Sequence, residues 1–374
     1  MSAGACDACL RRSWLVARLG GAIELARHRR QRLREILALA DETLIAALGA
    51  WAGEDLAGEH DRFDPDELRV ASAGALVEAV CRHDPCYPGS LGDLVDAPVA
   101  LFVVGGVRRL VELVGPAADG ARRVVSVVGT RRASEDGLEV ARGLGRGLGA
   151  AGVTVVSGMA LGVDSAAHAG ALEVGGPTVA VLAGGADVPY PASKRALYRQ
   201  IAAAGCVVSE MPPGFVPFRW CFPARNRTIA ALGEMTIVVE AAARSGSLIT
   251  AEIAADLGRE VAAVPGPVSA WRARGTNALL RDGATLIRDA RDALDAVVGV
   301  DHEPLIRVTA TLDAALEPRL RSILAAVADG RDTVAALAGA PDQARPVLSA
   351  LTELELLGRL RRGPGGRYLI VSPW

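Results

Sequence analysis

The feature that most constrains the fold is a series of short apolar runs that alternate with amphipathic stretches between about residues 98 and 298. The runs read VVSVVG, VTVVSG, TVAVLAGG, CVVSE, MTIVVE and EVAAVPG. Strands that are this continuously apolar are buried on both faces, as happens when helices cover both sides of a parallel sheet. The sequence therefore predicts an α/β domain with a parallel sheet over residues 76–300.

Two other kinds of sequence flank this region. Residues 13–72 carry helical periodicity, as in REILALADETLIAALG, and positions 11–34 hold eight arginines against one acid, Glu24. This predicts a small, locally basic helical domain over 1–75, of the SAM-like or helix-hairpin-helix-like kind. Near the other end, helical stretches precede RLRRGPGGRYLIV, which is typical of two short strands about a turn. Three helices followed by such a hairpin predict a winged helix over 313–374.

Composition and charge limit the classes of protein to which this chain can belong. With 374 residues, 51% apolar and 22% charged, the chain has enough apolar residues for about two or three globular domains. A net charge of −2 gives no overall field that would attract nucleic acid, so a polyanion site would have to be a local patch. No run of about 20 apolar residues occurs, and MSAGACDACLRRSW has no apolar stretch before its first arginines. We therefore expect a cytoplasmic protein without membrane spans.

The six cysteines leave two interpretations open. Cys6 and Cys9 form a CxxC pair that could be half of a zinc site, with Cys81, Cys86 or His83 as the remaining ligands. The spacing of the second pair is not that of a zinc ribbon, however, and free thiols are common in reducing compartments. We therefore favour reduced cysteines without a metal, and no cofactor is predicted.

The loops that follow the predicted strands are small, glycine-rich or hydroxylated. In an open parallel sheet the ligand binds at the carboxyl ends of the strands, and backbone N–H groups and helix N-termini there suit an anion. The clearest case is SGSLIT, where Ser245, Gly246 and Ser247 precede a helix. The first strand ends in Gly129-Thr130-Arg131 rather than GxGxxG, and no GxxxxGK[ST] occurs, so NAD and ATP are disfavoured.

Three titratable residues of this region are candidate catalytic groups. Asp164 and His168 lie four apart on a predicted helix and could pair or hold a metal, but no third ligand or activated nucleophile accompanies them. We favour a histidine that hydrogen-bonds to its helical neighbour. Glu240 ends a predicted strand, where a catalytic acid and a residue that caps the next loop are both plausible.

Taken together, these loops resemble the DNA-processing protein A family, also called DprA or Smf. The resemblance covers about 200 residues, and the matching stretches keep their order: HDPCYPGSLGDLVDAPVALFVVG, VVGTRRAS, SGMALGVDSAAHAGAL, GGADVPYP, VVSEMPPG, FPARNRTIAAL, VVEAAARSGSLITAEIAADLGREVAAVPG and GTNALLRDGA. So many linked motifs are far more specific than a single glycine fingerprint. The N-terminal CxxC and the C-terminal winged helix are not general features of the family.

The resemblance implies an extended Rossmann-like fold that binds single-stranded DNA and hands it to the recombinase RecA, without known catalysis. It also suggests a homodimer. Natural transformation and other recombination both remain open as the setting. The predicted DNA-binding residues are Gly129, Thr130, Arg131, Ser157, Gly158, Lys194, Arg225, Asn226, Arg227, Ser245, Gly246, Ser247 and Thr250.

The stretch FPARNRTIAAL supplies the strongest cations of this set. At the start of a helix, Arg225 and Arg227 could contact successive phosphates. In that case both arginines would be exposed, and their removal would cost little stability. The alternative is that they form ion pairs with acids such as Glu210 and Glu234. The nearby aromatic residues could stack on bases or form a buried plug: Phe215, Phe218, Trp220 and Phe222.

Two rival functions remain. A nucleotide-processing Rossmann-like enzyme would carry a catalytic Arg/Glu pair beside a PGG-type phosphate loop, where this chain has SGSLIT. A winged-helix transcription regulator would read duplex DNA through its recognition helix, whose main polar candidates here are Gln343, Arg345, Ser349 and Thr352.

Overall fold

The computed structural model describes residues 4–28, 32–51, 55–116, 123–299, 316–340, 343–357 and 359–370. The chain forms two units, Met1–Val298 and Gly299–Trp374. Among the helices of these described ranges, none has the length and the apolar character that a bilayer crossing requires.

A nine-stranded sheet organises the described part of the first unit. The strand order is β1-β2-β6-β5-β4-β3-β7-β8-β9. Strands β3 to β9 pair in parallel, whereas β1 and β2 pair antiparallel to each other and β2 is antiparallel to β6. The bounds are β1 Glu78–Cys81, β2 Ala100–Val104, β3 Val124–Val128, β4 Thr154–Ser157, β5 Thr178–Leu182, β6 Cys206–Ser209, β7 Met235–Val238, β8 Glu260–Ala263 and β9 Thr285–Leu286. The predicted α/β fold is therefore confirmed, with two antiparallel strands added at one edge.

Helices cover both faces of this sheet, as the apolar strands require. Along β5, Val179 and Val181 lie in one apolar cluster with residues of the helices Cys221–Leu232 and Gly246–Asp256. The alternate residues Ala180 and Leu182 lie in another cluster with Ile201. The helices of this part are α7 Val107–Val114, α8 Glu135–Ala150, α9 Val163–Glu173, α10 Arg195–Ala204, α11 Cys221–Leu232, α12 Gly246–Asp256, α13 Arg274–Arg281 and α14 Ala290–Val298.

Within the described ranges, six short α-helices precede the sheet, where the sequence predicts a helical domain. They are α1 Asp7–Arg18, α2 Gly20–His28, α3 Leu33–Leu37, α4 Asp41–Leu48, α5 Leu56–Arg62 and α6 Pro65–Gly74. Their apolar residues pack into the same unit as the sheet: Trp220 of the loop before α11 is buried, and its indole Nε1–H donates to the carbonyl oxygen of Gly20 at 2.8 Å. This packing ties the N-terminal helices to the part of the chain that forms the sheet.

The described residues of the second unit form three α-helices and a two-stranded antiparallel sheet. The elements are α15 Pro318–Ala328, α16 Val334–Ala338, α17 Ala344–Leu356, β10 Leu360–Arg362 and β11 Tyr368–Ile370. Leu320, Leu351, Leu354 and Leu360 are buried in an apolar cluster formed by this unit's own residues. The order of the elements is the one that the sequence predicts; the winged-helix identity itself stays a prediction.

Candidate nucleic-acid interface

The candidate site lies where the strand order reverses. The chain adds β4, β5 and β6 on one side of β3 and then returns to add β7 and β8 on the other, so the crevice between β3 and β7 is a switch point of the kind that binds ligands in open α/β sheets. A cavity of about 370 Å³ opens there. Its lining comes from the end of β3 and from α9, α11 and α12, and includes Gly129, Arg131, Asp164, Phe222, Arg225, Asn226, Ser245, Gly246, Ser247 and Thr250.

Arg225 forms the floor of this cavity. It is 6% exposed, and its guanidinium donates to the carbonyl oxygens of Gly158, at 2.9 Å, and of Val181. Burial lowers the pKa of Arg225 to about 10, with a further lowering from the nearby Arg131, so it remains a cation at neutral pH. Gly158 is needed for this contact, because a Cβ there would lie 2.5 Å from the Nη1 of Arg225.

Arg131 supplies a second cation at the mouth of the cavity. It follows β3 and is exposed, and its guanidinium carbon lies 5.0 Å from the centroid of the Phe222 ring. Within the described ranges, neither Arg131 nor Arg225 has a carboxylate within ion-pair distance. Two neighbouring cations without such partners favour the binding of an anion.

The N-terminus of α12 faces the same cavity. Ser245 is its N-cap residue, and the Ser245 hydroxyl accepts from the backbone N–H of Ser247 at 3.4 Å and lies 2.7 Å from the Ser247 hydroxyl. The Asn226 amide donates to the carbonyl oxygen of Gly246 at 3.2 Å, which joins α11 to this turn. Because the first N–H groups of a helix lack intrahelical partners, this end of α12 adds positive potential to the two arginines.

The remaining strand-end residues hold the backbone in place. Ser157 is buried, and its hydroxyl donates to the carbonyl oxygen of Val127 at 2.6 Å. The hydroxyl oxygen of Thr130 accepts from the backbone N–H of Arg132 at 3.2 Å. Lys194 ends a short 3-10 helix and is not among the described residues that line the cavity. The assignment of Lys194 to the DNA-binding residues stays a prediction.

Arg227 forms ion pairs, as in the alternative that the sequence left open. It is 5% exposed and pairs with Asp96, at 2.7 Å, and with Glu210. The reason is helix geometry: residues two apart on an α-helix point about 200° away from each other, so Arg225 and Arg227 cannot face one groove. Glu234, the other acid considered, pairs with Arg123 instead. The expectation that Arg225 and Arg227 are exposed is wrong, because both side chains are buried in the described structure.

The aromatic residues near Arg225 take different positions, some buried as a plug and others at the cavity, where bases could stack. Trp220 is fully buried and forms a plug, whereas Phe218 packs against Gly20 of the N-terminal helices but stays 38% exposed. Phe222 instead lines the cavity and lies 5.4 Å from the ring of Tyr190, which is 44% exposed. Sequence reasoning missed Tyr190 as a site residue, although it lies in the strand-end stretch GGADVPYP.

The three candidate catalytic residues have structural partners. His168 lies with its Nδ1 2.7 Å from the Thr178 hydroxyl, which itself donates to a backbone carbonyl oxygen, so Thr178 accepts and the predicted partnership with Asp164 is wrong. Burial lowers the pKa of His168 to about 3, which keeps the imidazole neutral. Burial raises the pKa of Asp164, against the opposing effect of Arg225. Glu240 accepts from the backbone N–H and the hydroxyl of Ser134, the N-cap residue of α8.

Comparison with known proteins agrees with this architecture. Residues 78–298, more than half of the chain, match the family described as DNA recombination-mediator protein A. The chain belongs to this family. The putative DNA processing protein DprA of Mycobacterium tuberculosis is 40% identical over 313 residues, which cover 82% of this chain and 76% of the relative. Protein Smf of Escherichia coli is 35% identical over 288 residues, which cover 75% and 74%.

Solved structures of the DNA recombination-mediator protein A family share the fold. The X-ray structure of DprA from Streptococcus pneumoniae aligns with a TM-score of 0.60 at 32% identity, and covers 78% of this chain and 96% of that chain. A structure of DNA processing protein A from Helicobacter pylori, described for its single-stranded DNA binding mode, aligns with a TM-score of 0.52 at 28% identity, and covers 59% and 94%.

Replacing Arg225 with alanine should reduce both stability and ligand binding. The substitution leaves the carbonyl oxygens of Gly158 and Val181 without their buried donor, and an orphaned buried group costs about 1–3 kcal/mol. We expect a loss of about 2 kcal/mol in the free energy of unfolding, measured by urea denaturation. An unchanged free energy of unfolding would contradict the role assigned to these two hydrogen bonds.

Proposed function

We propose that the protein binds single-stranded DNA in the switch-point cavity. The observation that carries this proposal is the convergence of two cations without contacting carboxylates, Arg131 and Arg225, with the N-terminus of α12. Phosphate groups of a nucleic acid backbone suit this arrangement because they combine negative charge with several acceptor oxygens. The H. pylori relative that binds single-stranded DNA supports the same ligand.

The aromatic pair at the cavity favours a single strand over a duplex. Tyr190 is 44% exposed beside Phe222 and presents ring surface to unpaired bases, whose stacking on aromatic side chains is worth roughly 1–3 kcal/mol per base. Bases in a duplex already stack on one another and cannot reach these rings. Arg131 lies over Phe222, so one phosphate contact and one stacking surface are adjacent.

The assignment is tested by comparing two exposed arginines. Arg131→Ala removes a phosphate contact at the cavity, and we expect roughly tenfold weaker binding of single-stranded DNA, since a charge-assisted hydrogen bond is worth about 1.5 kcal/mol or more. Arg108→Ala is the matched control, because its side chain is 94% exposed and lies on α7, which follows β2, and three strands separate β2 from β3 in the sheet.

Gel shifts with a labelled oligonucleotide measure both affinities. Arg108→Ala should bind like the wild type, and thermal unfolding should be unchanged in both variants because both side chains are exposed. Equal losses in the two variants would indicate nonspecific charge attraction and would remove the cavity from the interface. Mononucleotide binding as tight as that of an oligonucleotide would favour a nucleotide-processing enzyme.

We propose that the bound strand is handed to the RecA recombinase and that the protein acts as a homodimer. Membership of a recombination-mediator family supports the first step, and family resemblance supports the second. No catalytic step is assigned, since the one acid among the described residues that line the cavity, Asp164, accepts hydrogen bonds from the backbone N–H groups of Gly158 and Ala160. The rate of RecA filament formation on single-stranded DNA, compared with and without this protein, measures the transfer.

Deleting residues 313–374 should leave single-strand binding largely intact. The cavity and all of its described lining lie in the first unit, and the apolar cluster of the second unit is formed by its own residues. We expect the truncated chain to keep its circular dichroism spectrum and an affinity within about threefold of the full chain. A folded truncation that no longer binds single strands would move the primary site to the second unit.

We expect the truncated chain to lose contact with duplex DNA or the ability to recruit a partner protein. In the hairpin formed by β10 and β11, Arg362 lies 3.3 Å from Glu355 and Arg367 lies 3.4 Å from Asp332. Both remain exposed, and such surface pairs are weak enough to exchange for phosphate. If the protein were instead a transcription regulator that reads duplex DNA, the truncated chain would lose duplex binding. The second unit, produced by itself, would keep it.

A further inference from the structure

A second cluster of reactive side chains lies outside the cavity. Cys6, Cys9, Cys81 and His83 bring their ligand atoms within 4.8 Å of one another. The Nδ1 of His83 is 3.4 Å from the sulfur of Cys6 and 3.5 Å from that of Cys9. All of these cysteines are free thiols rather than disulfides.

The geometry of this cluster is close to that of a tetrahedral metal site. Tetrahedral zinc bonds of about 2.3 Å to sulfur and about 2.0–2.1 Å to nitrogen put neighbouring ligand atoms about 3.5–3.8 Å apart. The contacts of His83 with Cys6 and Cys9 are therefore already at ligand spacing, before any ion draws the atoms together. Three thiolates and one imidazole are a common ligand set for structural zinc.

We propose that these four residues bind one zinc ion. The sequence left this possibility open but favoured free thiols, since Cys81 and Cys86 lack the spacing of a second CxxC. The fold supplies a different pair, because Cys81 ends β1 and His83 follows two residues later, while Cys86 lies outside the cluster. With four protein ligands the site is closed, which suits a structural ion rather than a catalytic one.

The surroundings prearrange the ligands. Cys6 is the N-cap residue of α1, where the positive end of the helix stabilises a negatively charged sulfur, and Cys9 lies in the first turn of the same helix. The backbone N–H of Cys6 donates to the sulfur of Cys81 at 3.4 Å. Asp84 fixes the loop after His83, since its carboxylate accepts from the backbone N–H groups of Gly4 at 3.0 Å and of Cys86 at 2.8 Å. Such outer contacts orient metal ligands.

The ion would join two parts of the first unit. Cys6 and Cys9 belong to the N-terminal helices, and Cys81 and His83 belong to the edge strand of the sheet and its following turn. Zinc would act as a cross-link between segments about 75 residues apart. Its removal should therefore loosen α1 from β1, and none of the four ligands lines the switch-point cavity.

The test uses the full chain and two matched substitutions. His83→Ala removes one ligand that is exposed, so the fold does not depend on its packing. Cys86→Ser is the control, because it removes a nearby thiol that lies outside the cluster. We expect about one zinc per chain by plasma mass spectrometry in the wild type and in Cys86→Ser, and zinc affinity at least about 100-fold lower in His83→Ala.

Two further measurements separate a bound ion from free thiols. Cobalt substituted into the wild type should give thiolate charge-transfer absorption that His83→Ala alters and Cys86→Ser does not. A chelator should lower the thermal midpoint of the wild type and of Cys86→Ser but leave His83→Ala nearly unchanged. Wild-type chain without zinc, or equal zinc content in His83→Ala and wild type, would overturn the proposal.

Discussion

Arg227→Ala should be the most destabilising of the arginine substitutions, with a loss of about 3–5 kcal/mol in the free energy of unfolding. The substitution leaves Asp96 and Glu210, whose side chains are 4% and 8% exposed, as unpaired carboxylates in the interior. Burial alone would lower the pKa of Arg227, but these two carboxylates raise it above its ordinary value, so the cation is held firmly. Urea denaturation followed by circular dichroism measures the loss.

An exposed ion pair provides the comparison. Arg123 pairs with Glu234 at 3.4 Å, and the two side chains are 36% and 40% exposed. Arg123→Ala should therefore cost less than about 1 kcal/mol. Stability effects of equal size in the two variants would mean that the buried pairs of Arg227 are not what holds this region together. Normal stability with lost DNA binding in Arg227→Ala would instead restore the phosphate contact that the sequence suggests.

The sequence did not decide which of the two arginines, Arg225 or Arg227, faces the cavity. Two arginines flanking one asparagine predict an anion site, and one of them, Arg225, does line the cavity. Which arginine faces the cavity depends on where α11 begins and how it is rotated, and the structure begins this helix at Cys221. Helical spacing alone already implied that Arg225 and Arg227 point in different directions, and this was the available signal.

The strands were predictable to a similar degree. Six runs of valine and isoleucine correspond to β3 to β8, because apolar residues on both faces leave no other arrangement than a covered sheet. Strand β1, with the sequence EAVC, is as long as β8, but Arg82 follows its apolar residues directly where β8 runs on into Val264, Pro265 and Gly266, so the pattern did not single it out. The antiparallel direction of β2 depends on its pairing with β6, about 100 residues away, which periodicity does not encode.

Single-strand binding should weaken steeply with salt. We expect contacts to about four phosphates, from Arg131, Arg225, the exposed Arg244 beside Ser245 and the N-terminus of α12. At roughly 0.7 per single-strand contact, the log–log slope of affinity against salt is near −3, so a fourfold rise in salt lowers affinity about 50-fold. Fluorescence anisotropy with a labelled oligonucleotide, titrated at several salt concentrations, measures the slope.

The slope also identifies which residues neutralise phosphate. Arg131→Ala should reduce its magnitude by about 0.7, since one contact is lost, whereas Arg108→Ala should leave it unchanged. Tyr190 and Phe222 contribute by stacking, which does not release counterions, so replacing Tyr190 should lower affinity without altering the slope. A flat salt response, or equal slopes in wild type and Arg131→Ala, would mean that the cavity does not bind the backbone. Duplex binding with the same affinity would mean that the aromatic pair is not used, because paired bases cannot stack on Phe222 and Tyr190.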